Sequence, residues 1–294
     1  MRYAILILLF LAALGGIWWF TQPPRTVPGE PSIDFDSAPA PRPEPRYPLP
    51  QPEPLPDPEP LTLLEPEPEP ADPLQPEPGE AVPEPEPADE PEPLPSLIDS
   101  DPAALTVLRG LIGVEAVARW IRPEWIISRT VVVVHSLDGA APPVEVRPLT
   151  LLRRAPQTGS GSADGPYWTE ATAQRYADLV EALETVPPAT AAAQYRRHYP
   201  LFQEAWEELG EPEPWFNDRL IDIIDHLLAA PEVALPIELV PWENRLKFAD
   251  DELEAQSWGR KLLIRLGPDQ AADVKGWLRA LRRDLTGQPG LPQA

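Results

Sequence analysis

The chain has 294 residues, 45 of them proline and none cysteine, and carries a formal net charge of −23. Without cysteine there can be no disulfide, thiolate metal site or cysteine nucleophile. The acidic balance argues against nucleic acid as the main partner, because phosphate recognition needs net positive faces.

From the amino terminus, Ala4–Phe20 (AILILLFLAALGGIWWF) holds no charged or strongly polar side chain. As a helix it spans roughly 26 Å, close to the thickness of a bilayer's hydrocarbon core. Tyr3 and Trp18–Trp19 suit the two interfaces, and Arg2 with the amino terminus favours an inside start. The expected segment is a stub and transmembrane anchor over residues 1–20. The alternative is a cleaved signal peptide, for which Ala13-Leu14-Gly15 is a poor cleavage site followed by bulky residues.

Next comes a tract rich in proline and acid. Between Pro23 and Pro95 lie 27 prolines, and residues 21–98 hold 18 Asp/Glu against Arg25, Arg42 and Arg46. Runs such as Pro66-Glu67-Pro68-Glu69-Pro70 remove backbone donors and fix φ, so neither helix nor sheet propagates. Polyproline II remains, extended further by repulsion between carboxylates, and its fully stretched reach is about 220 Å. Residues 21–95 are expected to be a disordered spacer, with Leu61-Thr62-Leu63-Leu64 as an interruption that could dock.

Residues 96–288 have ordinary apolar content and are expected to form one mainly all-α domain of about eight helices, with 289–294 as a disordered tail. Ser100-Asp101-Pro102 reads as a cap and helix start, with a stop at Gly113 and a short helix to Trp120. Ile126–Leu137 is read as helix despite its β-branched Val131–Val134. Residues 140–169 form a long loop with room for a hairpin, and Thr169 caps the next helix. A helix from Pro188 should break at Pro200, a new one should end at Gly210, and another should carry Leu220, Ile221, Ile224, Leu227 and Leu228. Pro236–Phe248 reads as a crossing segment, followed by helices near Asp250–Leu266 and Pro268–Thr286.

A family pattern is carried by Tyr195-Arg196-Arg197, Tyr199-Pro200-Leu201-Phe202-Gln203-Glu204-Ala205, Phe216-Asn217-Asp218-Arg219-Leu220-Ile221 and Asp225-His226-Leu227-Leu228. Together with Phe248-Ala249-Asp250 and Lys261-Leu262-Leu263-Ile264-Arg265, these resemble the bacterial domain-of-unknown-function 3014 family over roughly residues 96–286. The resemblance implies a bacterial envelope protein with one N-terminal span, a proline-rich segment and no established activity. In one departure, Thr172-Ala173 stands where the family pattern has Asn-Tyr before Arg175-Tyr176.

Two polar groupings could carry function. Asp218, Asp222, Asp225 and His226 recur at helical spacing on one face, roughly opposite the apolar stripe centred on Ile224. Carboxylate and imidazole one turn apart can ligate metal or exchange protons, though a solvated face, or one paired with Arg196 or Arg197, is the favoured reading. Lys275, Arg279, Arg282 and Arg283 form a basic side on the last helix, suited to anionic headgroups, an acidic partner or the chain's own Glu-Pro tract, although an ordinary solvated helix with Asp269 and Asp273 near Lys275 is the favoured reading. No phosphate loop, nucleophile elbow or zinc-protease pair occurs.

The sequence therefore points to a tethered, non-catalytic interaction or scaffolding module. It would be anchored in the bacterial inner membrane and face the periplasm, with no cofactor. Its partner would be an envelope protein or anionic surface, not nucleic acid. An envelope enzyme using the Asp218–His226 face, or an energy-transducing arm resembling TonB in layout, are the alternatives.

Overall fold

The computed structural model describes residues 42–49, 93–150, 159–161, 165–243 and 245–287. The expected span Ala4–Phe20, Leu61–Leu64 and the tail 289–294 lie outside the described residues, as does most of the Glu-Pro tract. Among the described residues, no helix is long and apolar enough to cross a membrane.

The body is a mostly α-helical globular domain. Helix α1 (Asp101–Trp120) is interrupted at Gly113, whose φ of 84° and ψ of 162° kink it where the sequence placed a stop. No side chain caps its start, where the hydroxyl of Ser100 donates to the Leu97 carbonyl. Asp101 serves the next helix, α2 (Ile126–Ser136). Its two carboxylate oxygens accept the successive N–H groups of Trp125 and Ile126 at 2.7 and 2.8 Å. Burial of Ile127, Val131 and Val134 explains why this β-branched run is helical: packing outweighs a small difference in propensity.

After a loop come strands β1 (Gly159–Gly161) and β2 (Gly165–Trp168). Helix α3 (Glu170–Ala173) then starts at Thr169, as read, with Thr172 reciprocating the cap. Helix α4 (Ala177–Glu184) leads to α5 (Pro188–Leu209), the longest helix. Pro200 does not break α5, contrary to expectation. A proline inside a helix costs about 3 kcal/mol, but the buried stripe Ala191, Tyr195, His198, Phe202, Ala205 and Trp206 runs continuously past it. Anchored on both sides of the proline, the helix carries the defect.

Helix α6 (Phe216–Leu228) follows, its buried face holding Leu220, Ile221, Ile224 and Leu227. The crossing segment proves to be a hairpin of β3 (Ile237–Trp242) and β4 (Arg245–Phe248). It extends an antiparallel sheet in the order β1-β2-β3-β4, with Tyr167 opposite Glu238 and Leu239 opposite Phe248. Pro236 and Pro241 hide this pairing in the sequence, since proline contributes no ladder donor. The helix expected over Asp250–Leu266 is split into α7 (Asp251–Glu254) and α8 (Trp258–Leu266), each with its own side-chain cap, Asp250 and Ser257. Gly259 lets α8 touch the end of α2: its N–H donates to the Leu137 carbonyl at 2.8 Å. A Cβ at that position would lie 2.6 Å from that oxygen. Helix α9 (Pro268–Thr286) closes the body, burying Val274, Trp277, Leu278, Leu281 and Leu285.

One part of the proline-rich tract departs from the spacer expectation. Residues 42–49 belong to the same compact unit as the helical body and rest on it through Tyr47 and Leu49.

Candidate functional site

The surface that holds this segment begins with the loop between α5 and α6. Gln203 donates to the Pro214 carbonyl at 2.8 Å and accepts the Phe216 N–H at 3.0 Å, while Trp206 donates to the Glu213 carbonyl at 2.6 Å. Beneath it, Tyr195, Phe202, Trp206 and Phe216 form an aromatic cluster, with Phe202 and Phe216 stacked at 5.9 Å. This rigid base fixes the first turn of α6, where Asn217 and Asp218 are buried.

Asp218 does not meet water, since its side chain is 1 % exposed. Its two oxygens accept the successive main-chain N–H groups of Arg46 and Tyr47, at 2.7 and 2.9 Å. Asn217 donates to the Tyr47 carbonyl at 2.7 Å, and Trp215 donates to the Pro43 carbonyl at 2.7 Å. These bonds read the peptide backbone. Side chains add charge: Arg46 grips Asp222 with two bonds of 2.7 and 3.1 Å, and Arg42 donates to Glu207 at 2.7 Å. Arg42 also lies over the Trp215 ring. The hydrogen bond to Arg42 holds the Glu207 carboxyl below its ordinary range, with Gln203 assisting.

The sequence reading of this face needs correction. Asp218, Asp222, Asp225 and His226 do not form one solvated side and do not converge; Asp222 and Asp225 are arginine-paired, but with Arg46 and Arg282 in place of Arg196 or Arg197. Asp218 and Asp222 hold residues 46 and 47, whereas Asp225 takes two bonds from Arg282, at 2.6 and 2.9 Å. His226 turns away to Ser257, 2.7 Å from its hydroxyl, beside the start of α8. Burial lowers the His226 pKa, and Arg260 pushes it the same way. Among the described residues, no group of three His, Asp or Glu side chains is placed to hold a metal ion.

The basic side of α9 is dispersed too. Lys275 is buried and donates to the Ala230 carbonyl at 2.7 Å, and Arg282 is buried against Asp225. Arg279 is half-buried, and only Arg283 is exposed. Helical spacing placed these residues on one side, but α9 is packed against α5 and α6, so part of that side lies inside. Arg282 nevertheless links the two groupings, since its guanidinium lies 6.0 Å from the centre of the Tyr47 ring while gripping Asp225. Residues 42–49 do meet the body, but through their arginines: Arg42 meets Glu207 of α5, and Arg46 meets Asp218 and Asp222 of α6.

The residues that sequence reasoning missed are Arg42, Arg46, Tyr47, Trp215 and Asn217. A signal was present. Within residues 41–50 proline alternates with other residues, except at Arg46-Tyr47, the one place with two adjacent backbone donors. A carboxylate that accepts two successive N–H groups needs such a pair, as Asp101 finds at Trp125–Ile126. The same short stretch holds two of the three arginines in residues 21–98.

No curated protein and no solved structure matches the chain. Residues 126–282, more than half of the chain, match the family model described as "Protein of unknown function (DUF3014)". They span α2 to α9 and include the whole acidic face of α6, so the chain belongs to this family.

Proposed function

We propose that this protein is a membrane-tethered, non-catalytic interaction module of the bacterial cell envelope, with its helical body on the periplasmic side. The reading is carried by buried Asp218, each of whose oxygens accepts a main-chain N–H from a bend in residues 42–49. Such an arrangement binds polypeptide. Acid–base chemistry would need carboxylate and imidazole aimed at one point, and here they serve three separate partners. The apolar stretch Ala4–Phe20 supports the anchor, and the Pro/Glu-rich tract after it supports reach.

The native chain lacks cysteine, so single thiols report its address cleanly. Glu243→Cys, on the exposed turn between β3 and β4, should react with a membrane-impermeant maleimide in intact spheroplasts. Arg2→Cys should react only after lysis. A body thiol that stays protected until lysis overturns the periplasmic placement.

A further inference from the structure

We infer that the groove between the α5–α6 loop and α6 is a recognition site for basic, proline-containing segments of other polypeptides that bend as Arg46 and Tyr47 do. Residues 42–49 are its built-in occupant. This rests on the reading of the body as an interaction module and names the chemistry of its ligand.

Three observations carry the assignment. First, the site reads backbone as well as side chains. Asp218, Asn217 and Trp215 together take up two N–H groups and two carbonyls of the occupant. Many chains offer carbonyls at that spacing, but both donors require two adjacent non-proline residues at a bend, since successive N–H groups of a straight extended chain point to opposite sides. Second, the occupant's two charged side chains stay open to solvent. The Arg42 and Arg46 side chains are 57 % and 49 % exposed, and ion pairs so open to solvent contribute little net binding. Third, charge is left over. Glu207, Glu213, Asp218 and Asp222 all face the two arginines of the segment, and the segment brings a further exposed acid, Glu44. The groove therefore remains negative with its own segment in place. A ligand of the same backbone pattern but higher positive charge fits it better, which favours a foreign segment over a second copy of this chain.

The occupant's role follows from its attachment. Being covalently linked, it competes at an effective concentration in the range of mM for a flexible connection. A partner must outbid it, so weakly matched peptides are excluded and the groove opens to well-matched ones.

The test is a titration with labelled synthetic peptides. In the full chain, Arg42→Ala, Arg46→Ala and Tyr47→Ala together vacate the groove without altering the helical body. A fluorescent peptide copying residues 41–50 should bind this variant and should bind the unaltered chain about tenfold or more weakly. The same peptide with Glu44→Arg should bind the vacated chain severalfold more tightly at low salt and lose that advantage at high salt. A copy N-methylated at Tyr47 keeps every side chain but loses one donor to Asp218, and should lose about tenfold or more. In the body, Asp222→Arg changes a partly exposed side chain and should abolish binding with the melting curve preserved.

The inference falls if the vacated chain melts normally yet binds no peptide. It falls if the unaltered chain binds as tightly as the vacated one, or if N-methylation has no effect. Should the Glu44→Arg peptide bind no better than the native copy, the groove is matched to this chain's own segment and the foreign ligand is excluded. None of these results depends on which side of a membrane the body occupies, so this failure and that of the proposed address are separable.

Discussion

Two arginines reach helix α6 less than a turn apart, and the structure treats them differently. Arg282 comes from α9, is buried, and meets Asp225 with two bonds in an arrangement that joins two elements of the body. Its hydrogen bond to Asp225 raises its pKa above the ordinary guanidinium value, with burial opposing. Arg46 comes from the proline-rich tract, is about half exposed, and shares Asp222, Asp218 and Glu213. Both are bidentate on a carboxylate of the same helix. The difference is solvent: a desolvated pair is part of the fold, and a wet one is an exchangeable contact. One helix thus carries a permanent joint and a releasable one side by side.

Removing the permanent joint should have the largest effect. Arg282→Ala leaves Asp225 without its partner, and that carboxylate is only partly reached by water, at 29 % exposure. A loss of about 2–3 kcal/mol is expected, somewhat below that for a wholly buried pair. In a domain of this size it lowers the melting temperature by roughly 5–10 °C. Calorimetry or circular dichroism of the full chain checks this. A change under about 0.5 kcal/mol, the range of ordinary surface substitutions, would erase the distinction drawn between the two arginines.

Arg46→Ala should do much less to the body and much more to the segment. Exposed pairs contribute about 0.2–1 kcal/mol, so melting should barely move. With a fluorophore on Glu44→Cys, which lies outside every contact described, anisotropy should fall as the segment is released. Raising salt to 1 M should loosen the unaltered segment only in part, because a Debye length of about 3 Å screens the Arg42 and Arg46 pairs but not the main-chain bonds to buried Asp218, and it should leave the Arg282 joint intact. If high salt melts the body before it loosens the probe, the comparison is wrong.

How much of this was legible in the sequence depends on whether a contact lies within an element or between elements. The apolar stripe of α6, the stop at Gly113 and the Thr169 cap are local patterns, and each is found where it was read. Continuity of α5 through Pro200 depends on what packs on either side, which no local rule contains. The β3–β4 hairpin was concealed by prolines at positions that need donate nothing to the ladder. At the candidate site, spacing grouped Asp218 and Asp222 with Asp225 and His226 on one face, but it could not tell a buried acceptor from a solvated one. It also drew Arg282 and Asp225 into separate groupings, although they touch across two helices that are 40 or more residues apart in the chain. Arg46 lies farther still, 172 residues from Asp218.

Acidification should separate the two regions by a smaller margin. All three histidines of the chain sit in the body, and burial is the main force lowering each pKa from its ordinary 6.5. His135 shows why geometrically: Arg219 donates to its Nδ1 at 3.2 Å, so protonation there would sacrifice that bond, even though Glu211 lies 3.2 Å from Nε2 and opposes the shift. Above pH 6.5 folded and unfolded chains are both neutral at these rings, and the contribution to stability is complete. As pH falls below that value the unfolded chain takes up protons that the folded chain refuses. Stability then declines until the lowered folded-state values are passed. The segment follows a different window. Glu207 is held below its ordinary 4.5 by Arg42, so its share of docking is complete above that pH and lost only on further acidification. Melting temperature should therefore begin to drop between pH 7 and 5, while the anisotropy of a probe at position 44 stays constant until about pH 4. Simultaneous loss of both signals near pH 6 would mean that the segment's hold depends on the histidine-bearing core beneath α6, and the wet joint would not be independent of the dry one.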